Sequence, residues 1–159
     1  MQTFEFFHGV VLSKLVHGYR GGLTISQFAL EDNAAYTLND VIGLYVKYST
    51  SRLSPWIFTF SEKHQETFEL LKSRHEKVFL TLVCNEDGVA CIGAPELEAI
   101  FTNESSRAKS IRVDRPQGGS YRVRGSDGRL ERKVSRASFP RLVLESVLDL
   151  GKISTPDRS

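Results

Sequence analysis

The stretch NDVIGLYVKYSTSRLSPWIFTF, residues 39–60, decides how this chain is to be built. VIGLYVKYS (41–49) has the β-branched and aromatic content of a strand, SRLSP is a polar link, and WIFTF (56–60) is a second strand headed by Pro55. Lys47 stands inside the first strand, among Leu44, Tyr45, Val46 and Tyr48. Side chains alternate along a strand, so Val46 and Tyr48 point one way and Tyr45 and Lys47 the other. A lysine there is either a solvent-side residue that needs no function or one with a task on a phosphate.

Upstream, Asn39-Asp40 is a turn, AAYTL (34–38) a strand, EDN (31–33) another turn and LTISQFAL (23–30) a further strand, so three short strands form a meander. Before them, Phe4, Phe7, Val11 and Leu15 recur at helical spacing, with Thr3 as cap and Gly21-Gly22 as the stop. Downstream, Ser61 caps a second helix that begins at Glu62, and His64, Phe68, Leu71 and His75 share one face. KVFLTLVC (77–84) is almost continuously apolar, the pattern of a strand covered on both faces.

Asp87-Gly88 suits a two-residue hairpin turn. That register pairs Glu86 with Val89, Asn85 with Ala90 and Cys84 with Cys91, so the two thiols would face each other across the ladder, buried and reduced or as a redox pair. APELEAIF (94–101) reads as a short helix with Pro95 in its first turn. Past TNESSRAKS (102–110) come three basic strands, SIRVDR, SYRVRG and RLERKV, and then a helix, FPRLVLESVLDL, capped by Ser138 and stopped by Gly151. The expected order is α-β-β-β-β-α-β-β-α-β-β-β-α. This is an α/β (α+β) chain with a mixed, mainly antiparallel sheet flanked by helices. Residues 1–150 make one domain (core 1–103, basic β-rich segment 104–137, terminal helix 138–150), and 151–159 a frayed tail.

The 159 residues are 40% hydrophobic and 25% charged, ordinary values for a globular domain. With no basic start and no long apolar run, a cytoplasmic protein without a membrane partner is expected. The net charge of +2 conceals an asymmetry: residues 1–104 hold 8 Lys/Arg against 13 Asp/Glu, and residues 105–159 hold 13 against 6. In the basic strands Ile111, Val113, Tyr121 and Val123 should face inward, leaving Arg112, Arg122 and Arg124 on one outer face, with Arg132 and Lys133 beyond them. Such a face suits a nucleic-acid backbone, DNA or RNA, because arginine grips phosphate in a bidentate way. Basic edge strands also keep sheets from associating, so a solvated or protein-binding face is the other reading. Trp56 is expected in the core; exposed, it would offer a stacking surface for a base.

No HxxH, HExxH, nucleophile elbow or phosphate loop occurs, which excludes the common metallohydrolases, acyl hydrolases and nucleotide-binding folds. The order helix, three-strand meander, helix, strand resembles the core of the PD-(D/E)xK nuclease superfamily, the restriction-endonuclease-like fold. That resemblance implies an aspartate at the second strand and an acid-x-lysine triplet on the third. The carboxylates would hold a magnesium ion that activates water, and the lysine would stabilise phosphate charge. On this chain it places Asp32 as metal ligand, Lys47 as the catalytic lysine and Glu69 on the second helix as a displaced carboxylate, with Glu5 and Glu66 as further acids. The triplet reads Tyr45-Val46-Lys47, so a phenol stands where the family has an acid. The expectation is therefore a restriction-endonuclease-like protein with a degenerate metal site that contacts nucleic acid. The alternative is a non-enzymatic interaction module or a subunit of a larger assembly.

Overall fold

Two positive-φ residues set the tight turn that follows Leu38. Asn39 (φ 48°) and Asp40 (φ 64°) occupy the left-handed region, where Asn and Asp are tolerated, and Val41 N–H donates to Leu38 O across the turn at 3.2 Å. The turn joins β2 (Ala35–Leu38) to β3 (Ile42–Ser49), and β1 (Ile25–Gln27) adds antiparallel to β2. The structure, a computed structural model, describes residues 1–29, 31–101 and 107–154. Residue 30, part of the TNESSRAKS segment and residues 155–159 of the expected tail lie outside the described residues.

Helix α1 (Thr3–Gly18) precedes the meander and buries His8, Val11 and Leu15. After β3 come β4 (Trp56–Phe60) and α2 (Glu62–Arg74), and the chain returns as β5 (Lys77–Cys84) parallel to β3 over eight residue pairs. Ser61 caps α2 as expected: its Oγ accepts the His64 N–H at 3.1 Å. Strand β6 (Gly88–Gly93) pairs back on β5, giving a five-stranded mixed sheet in the order β1-β2-β3-β5-β6. Then follow α3 (Ala94–Ile100), β7 (Lys109–Asp114), β8 (Arg122–Gly125) and α4 (Ser138–Ser154). Among the described residues no helix is long and apolar enough to cross a membrane.

The class is as expected, mixed α/β with helices against the sheet, but the strands divide into two sheets. β4 leaves the meander and pairs with β7, and β7 with β8, as a separate antiparallel sheet. β5 takes the place beside β3 that β4 would have filled. One core lies between the two sheets and α2, built on Tyr45, Trp56, Phe58, Phe60, Leu80 and Tyr121. The other lies between the first sheet and α1 and α4, built on Val11, Leu15, Leu44, Val46, Val83 and Val143. The nearly unbroken apolar run of β5 follows from having one core on each face.

Four expectations are corrected. The β5–β6 hairpin pairs Cys84 with Gly88 and Thr81 with Cys91, so Cys84 belongs to one core and Cys91 to the other. A redox pair between them is thereby excluded. The loop spans residues 85–87 because Asn85 takes the positive φ (47°) and Asp87 is tied elsewhere: its carboxylate accepts from Arg115 at 2.6 and 2.8 Å and from Tyr121 Oη at 2.9 Å. RLERKV is not a regular strand. Its bridges, Arg124–Arg129 and Tyr121–Val134, differ in register by two residues, so the ladder bulges between them. Ser138 does not cap the last helix: Phe139 is extended, and the Ser138 hydroxyl accepts the Cys91 N–H on the outer edge of β6 at 3.1 Å. Finally, Gly151 does not stop α4, which runs to Ser154. An interior glycine costs a helix about 1 kcal/mol, which neighbouring turns can offset.

Candidate functional site

Alternation along β3 puts Tyr45 and Lys47 on one face, and that face is not open to solvent. It lies against α2 and the end of β4. The reading of Lys47 as a solvent-side lysine is therefore corrected. Lys47 Nζ sits 3.2 Å from His64 Nδ1 and 5.1 Å from the centre of the Phe60 ring. The Ser61 N–H also points at His64 Nδ1, at 3.3 Å. With two donors aimed at one nitrogen, Nδ1 must be the acceptor, so the ring is neutral with its proton on Nε2. Burial pushes the Lys47 amine below its ordinary value, and the charge of Asp32 partly offsets this. Burial and the Lys47 charge both lower the His64 pKa, with Asp32 and the Thr59 backbone acting the other way.

Asp32 arrives from the β1–β2 turn. Its Oδ1 accepts the Ala34 N–H at 2.9 Å, an Asx turn, and its Oδ2 accepts the Tyr45 hydroxyl at 2.7 Å. Burial, and then the bond to Asp32, raise the Tyr45 pKa well above the usual tyrosine range. On the opposite face of the sheet His8 shares a 2.7 Å hydrogen bond with the Tyr36 hydroxyl, and burial lowers its pKa against the charge of Asp32.

Asp32 and Lys47 thus fall in one cluster, and Glu69 does not. It lies about 140° round α2 from His64 at 100° per residue, exposed and ion-paired to Lys72 at 3.0 Å. Lys72 also holds Glu98 at 2.6 Å. Glu66 is exposed on α2, and the Glu5 carboxylate accepts the Gln2 N–H at 3.0 Å. Among the described residues no group of three or more His, Cys, Asp or Glu side chains could hold a metal ion. A magnesium ion does not suit the cluster, since the single carboxylate already accepts from the Ala34 N–H and from the Tyr45 hydroxyl, a phenol where a second acid would be needed. His64 is the member that sequence reading did not assign. Its signal was its place three residues after the Ser61 cap, which directs its ring back over the helix start.

The second sheet carries the basic face. Inward go Ile111, Val113, Tyr121 and Val123; outward go Arg112, Arg122 and Arg124, with Arg112 directly opposite Arg124. Arg112 is paired with Asp114 at 3.1 Å. The RLERKV segment runs beside β8, and the two border a groove of about 900 Å³ whose charged lining is the five cations Arg122, Arg124, Arg129, Arg132 and Lys133, the Asp87-bound Arg115, and the acids Asp114 and Glu131. Among the described residues none of the first five forms an ion pair. Trp56, 2% exposed, donates from Nε1 to Ser51 O at 2.9 Å and packs edge-on to Tyr121, so it offers no stacking surface. The chain matches no family model, and neither a curated protein nor a solved structure shows significant similarity to it.

Proposed function

We propose that this chain binds nucleic acid through the β7–β8 face, on a restriction-endonuclease-like framework whose metal site is degenerate. The observation that carries the binding is the groove, with five cations and no carboxylate paired to any of them among the described residues. Cations left unpaired on one wall attract a polyanion, and releasing its counterions drives association. The framework is supported by the order helix, three-strand meander, helix, strand within the first sheet, with the last strand parallel to the third, although β4 of the second sheet intervenes before α2. The degenerate metal site is supported by Tyr45, which fills the position of the second acid and binds the first through its hydroxyl.

Two measurements test the proposal. Affinity for a labelled oligonucleotide should fall steeply between 50 and 200 mM salt, roughly 500-fold if five phosphates are neutralised. The Arg122→Ala/Arg124→Ala double variant should bind more weakly. Binding that ignores salt and the double variant would favour an apolar protein interface instead. Supercoiled plasmid should remain intact with magnesium or manganese. Nicking by wild type that is lost in Lys47→Ala would show the site to be active and would refute its degeneracy.

A further inference from the structure

We infer that the basic groove takes the sugar–phosphate backbone of a nucleic-acid double helix and reads no base sequence. This rests on the proposal that the β7–β8 face binds nucleic acid, and it narrows the class of nucleic acid. The first argument is the absence of a stacking platform. Single strands are held without sequence preference by aromatic rings on which bases stack. The aromatic residues of the second sheet all point inward: Trp56 and Phe58 are 2% exposed and Tyr121 is 0%. Among the described residues none that lines the groove is aromatic. Its guanidinium and ammonium groups outnumber its two acids, Asp114 and Glu131, and suit phosphate better than a free base.

The second argument is width. A two-stranded ribbon can enter the major groove and present side chains to base edges. Here β8 is backed by β7 and β4, and the RLERKV segment runs along its other side. Four backbone segments about 4.8 Å apart span about 14 Å. A major groove is about 12 Å wide. The face is too broad to enter and must lie across the backbone. There Arg122 and Arg124, two residues apart on one face and so about 7 Å apart, meet phosphates already fixed in rows by the duplex. A single strand would have to be ordered first.

The test is fluorescence anisotropy with the full chain. The probes are 20-base-pair DNA duplexes of three unrelated sequences and their separated strands, each measured from 50 to 200 mM salt. Wild type is compared with Arg122→Ala/Arg124→Ala and with Arg20→Ala as a distant control; circular dichroism confirms folding. The duplexes should agree within about threefold and the single strands should bind at least about tenfold more weakly. If all five groove cations meet phosphates, the log–log salt slope for duplex is about −4.5, and the double variant makes it shallower by about 2. Single strands binding as tightly as duplex, or one sequence preferred more than about tenfold, would overturn the inference and leave nucleic-acid binding standing. No binding to either form, or full binding by the double variant, would overturn the binding proposal and the inference with it.

Discussion

Tyr45→Phe isolates one hydrogen bond between a buried phenol and a partly exposed carboxylate. The ring of Tyr45 is 0% exposed and packs against Phe68 and Phe60 at 5.9 and 6.3 Å between centroids. Phenylalanine keeps those contacts and removes only the hydroxyl that donates to Asp32 Oδ2 at 2.7 Å. A hydrogen bond to a charged group contributes about 1.5–3 kcal/mol net. Asp32 is partly exposed, so water can reach the bared oxygen, and its other oxygen keeps the Ala34 N–H. The lower end applies, and the variant should lose about 1.5 kcal/mol. Urea denaturation followed by the fluorescence of the sole tryptophan, Trp56, measures it.

A cycle with Asp32→Ala separates this bond from the Asx turn. The coupling should again be about 1.5 kcal/mol, within the range for directly contacting residues. The pH dependence gives a second check. Folding raises the Tyr45 pKa above its ordinary 10.0, first through burial and then through Asp32. Above pH 10 the unfolded chain therefore releases a proton that the native chain keeps, and stability falls as pH rises. The Phe variant lacks this loss, so its deficit should shrink at high pH. A variant within about 0.3 kcal/mol of wild type at pH 7, with no coupling to Asp32, would refute the reasoning, because a 2.7 Å charge-assisted bond cannot be that weak if it forms.

Lys47→Met should be at least as stable as wild type at pH 7, because it removes a cation that burial disfavours. The native Lys47 pKa is lowered from 10.5, so between the two values the unfolded state binds more protons and wild-type stability rises with pH. Urea titrations from pH 7 to 10 should show that rise in wild type relative to the variant. Gly43→Ala should cost about 1–3 kcal/mol by overpacking, since its new Cβ would lie 2.7 Å from Leu71 Cγ and 3.2 Å from His75 Cγ; thermal melting reads this directly. Cys84 and Cys91 are 0% and 1% exposed, and burial raises both thiols, so neither should react with a thiol reagent until urea unfolds the chain.

The meander was legible because its turn residues are specific. Asn39-Asp40 tolerates two positive φ values and little else in that segment does. The helix starting at Ser61 and the buried β5 were legible for similar reasons, a cap and an unbroken apolar run. The departure of β4 was not. WIFTF alternates like any half-buried strand, and its partner β7 lies about fifty residues on, so nothing local distinguishes one sheet from two. The Cys84–Cys91 register failed because Asp87-Gly88 has a second use: Asp87 answers Arg115 and Tyr121, and a Cβ on Gly88 would lie 2.5 Å from the Tyr121 hydroxyl. In the site, Asp32 and Lys47 followed from the resemblance to the nuclease superfamily and from no local pattern of their own. Glu69 has the charge of a metal ligand but the wrong helix face, and it pairs with Lys72.

The two candidate regions meet opposite ends of β4. Phe60, under the Lys47 ammonium, closes the strand, whereas Ser54, which lines the basic groove, precedes it. Four steps along a strand separate Trp56 from Phe60 by about 14 Å, and Lys47 belongs to the first sheet, whereas the groove arginines point outward from the second. A backbone lying in the groove would have to turn the edge of the second sheet to bring a phosphate to Lys47. Binding and the Asp32–Tyr45–Lys47–His64 cluster should therefore separate by mutation. Lys47→Met should change the pH dependence of stability and leave duplex affinity at the wild-type level. Arg122→Ala/Arg124→Ala should weaken affinity and leave the urea midpoint unchanged, since neither arginine is ion-paired among the described residues. Loss of affinity in both variants, with folding intact, would mean that the bound backbone reaches Lys47, and the two regions would then be one site.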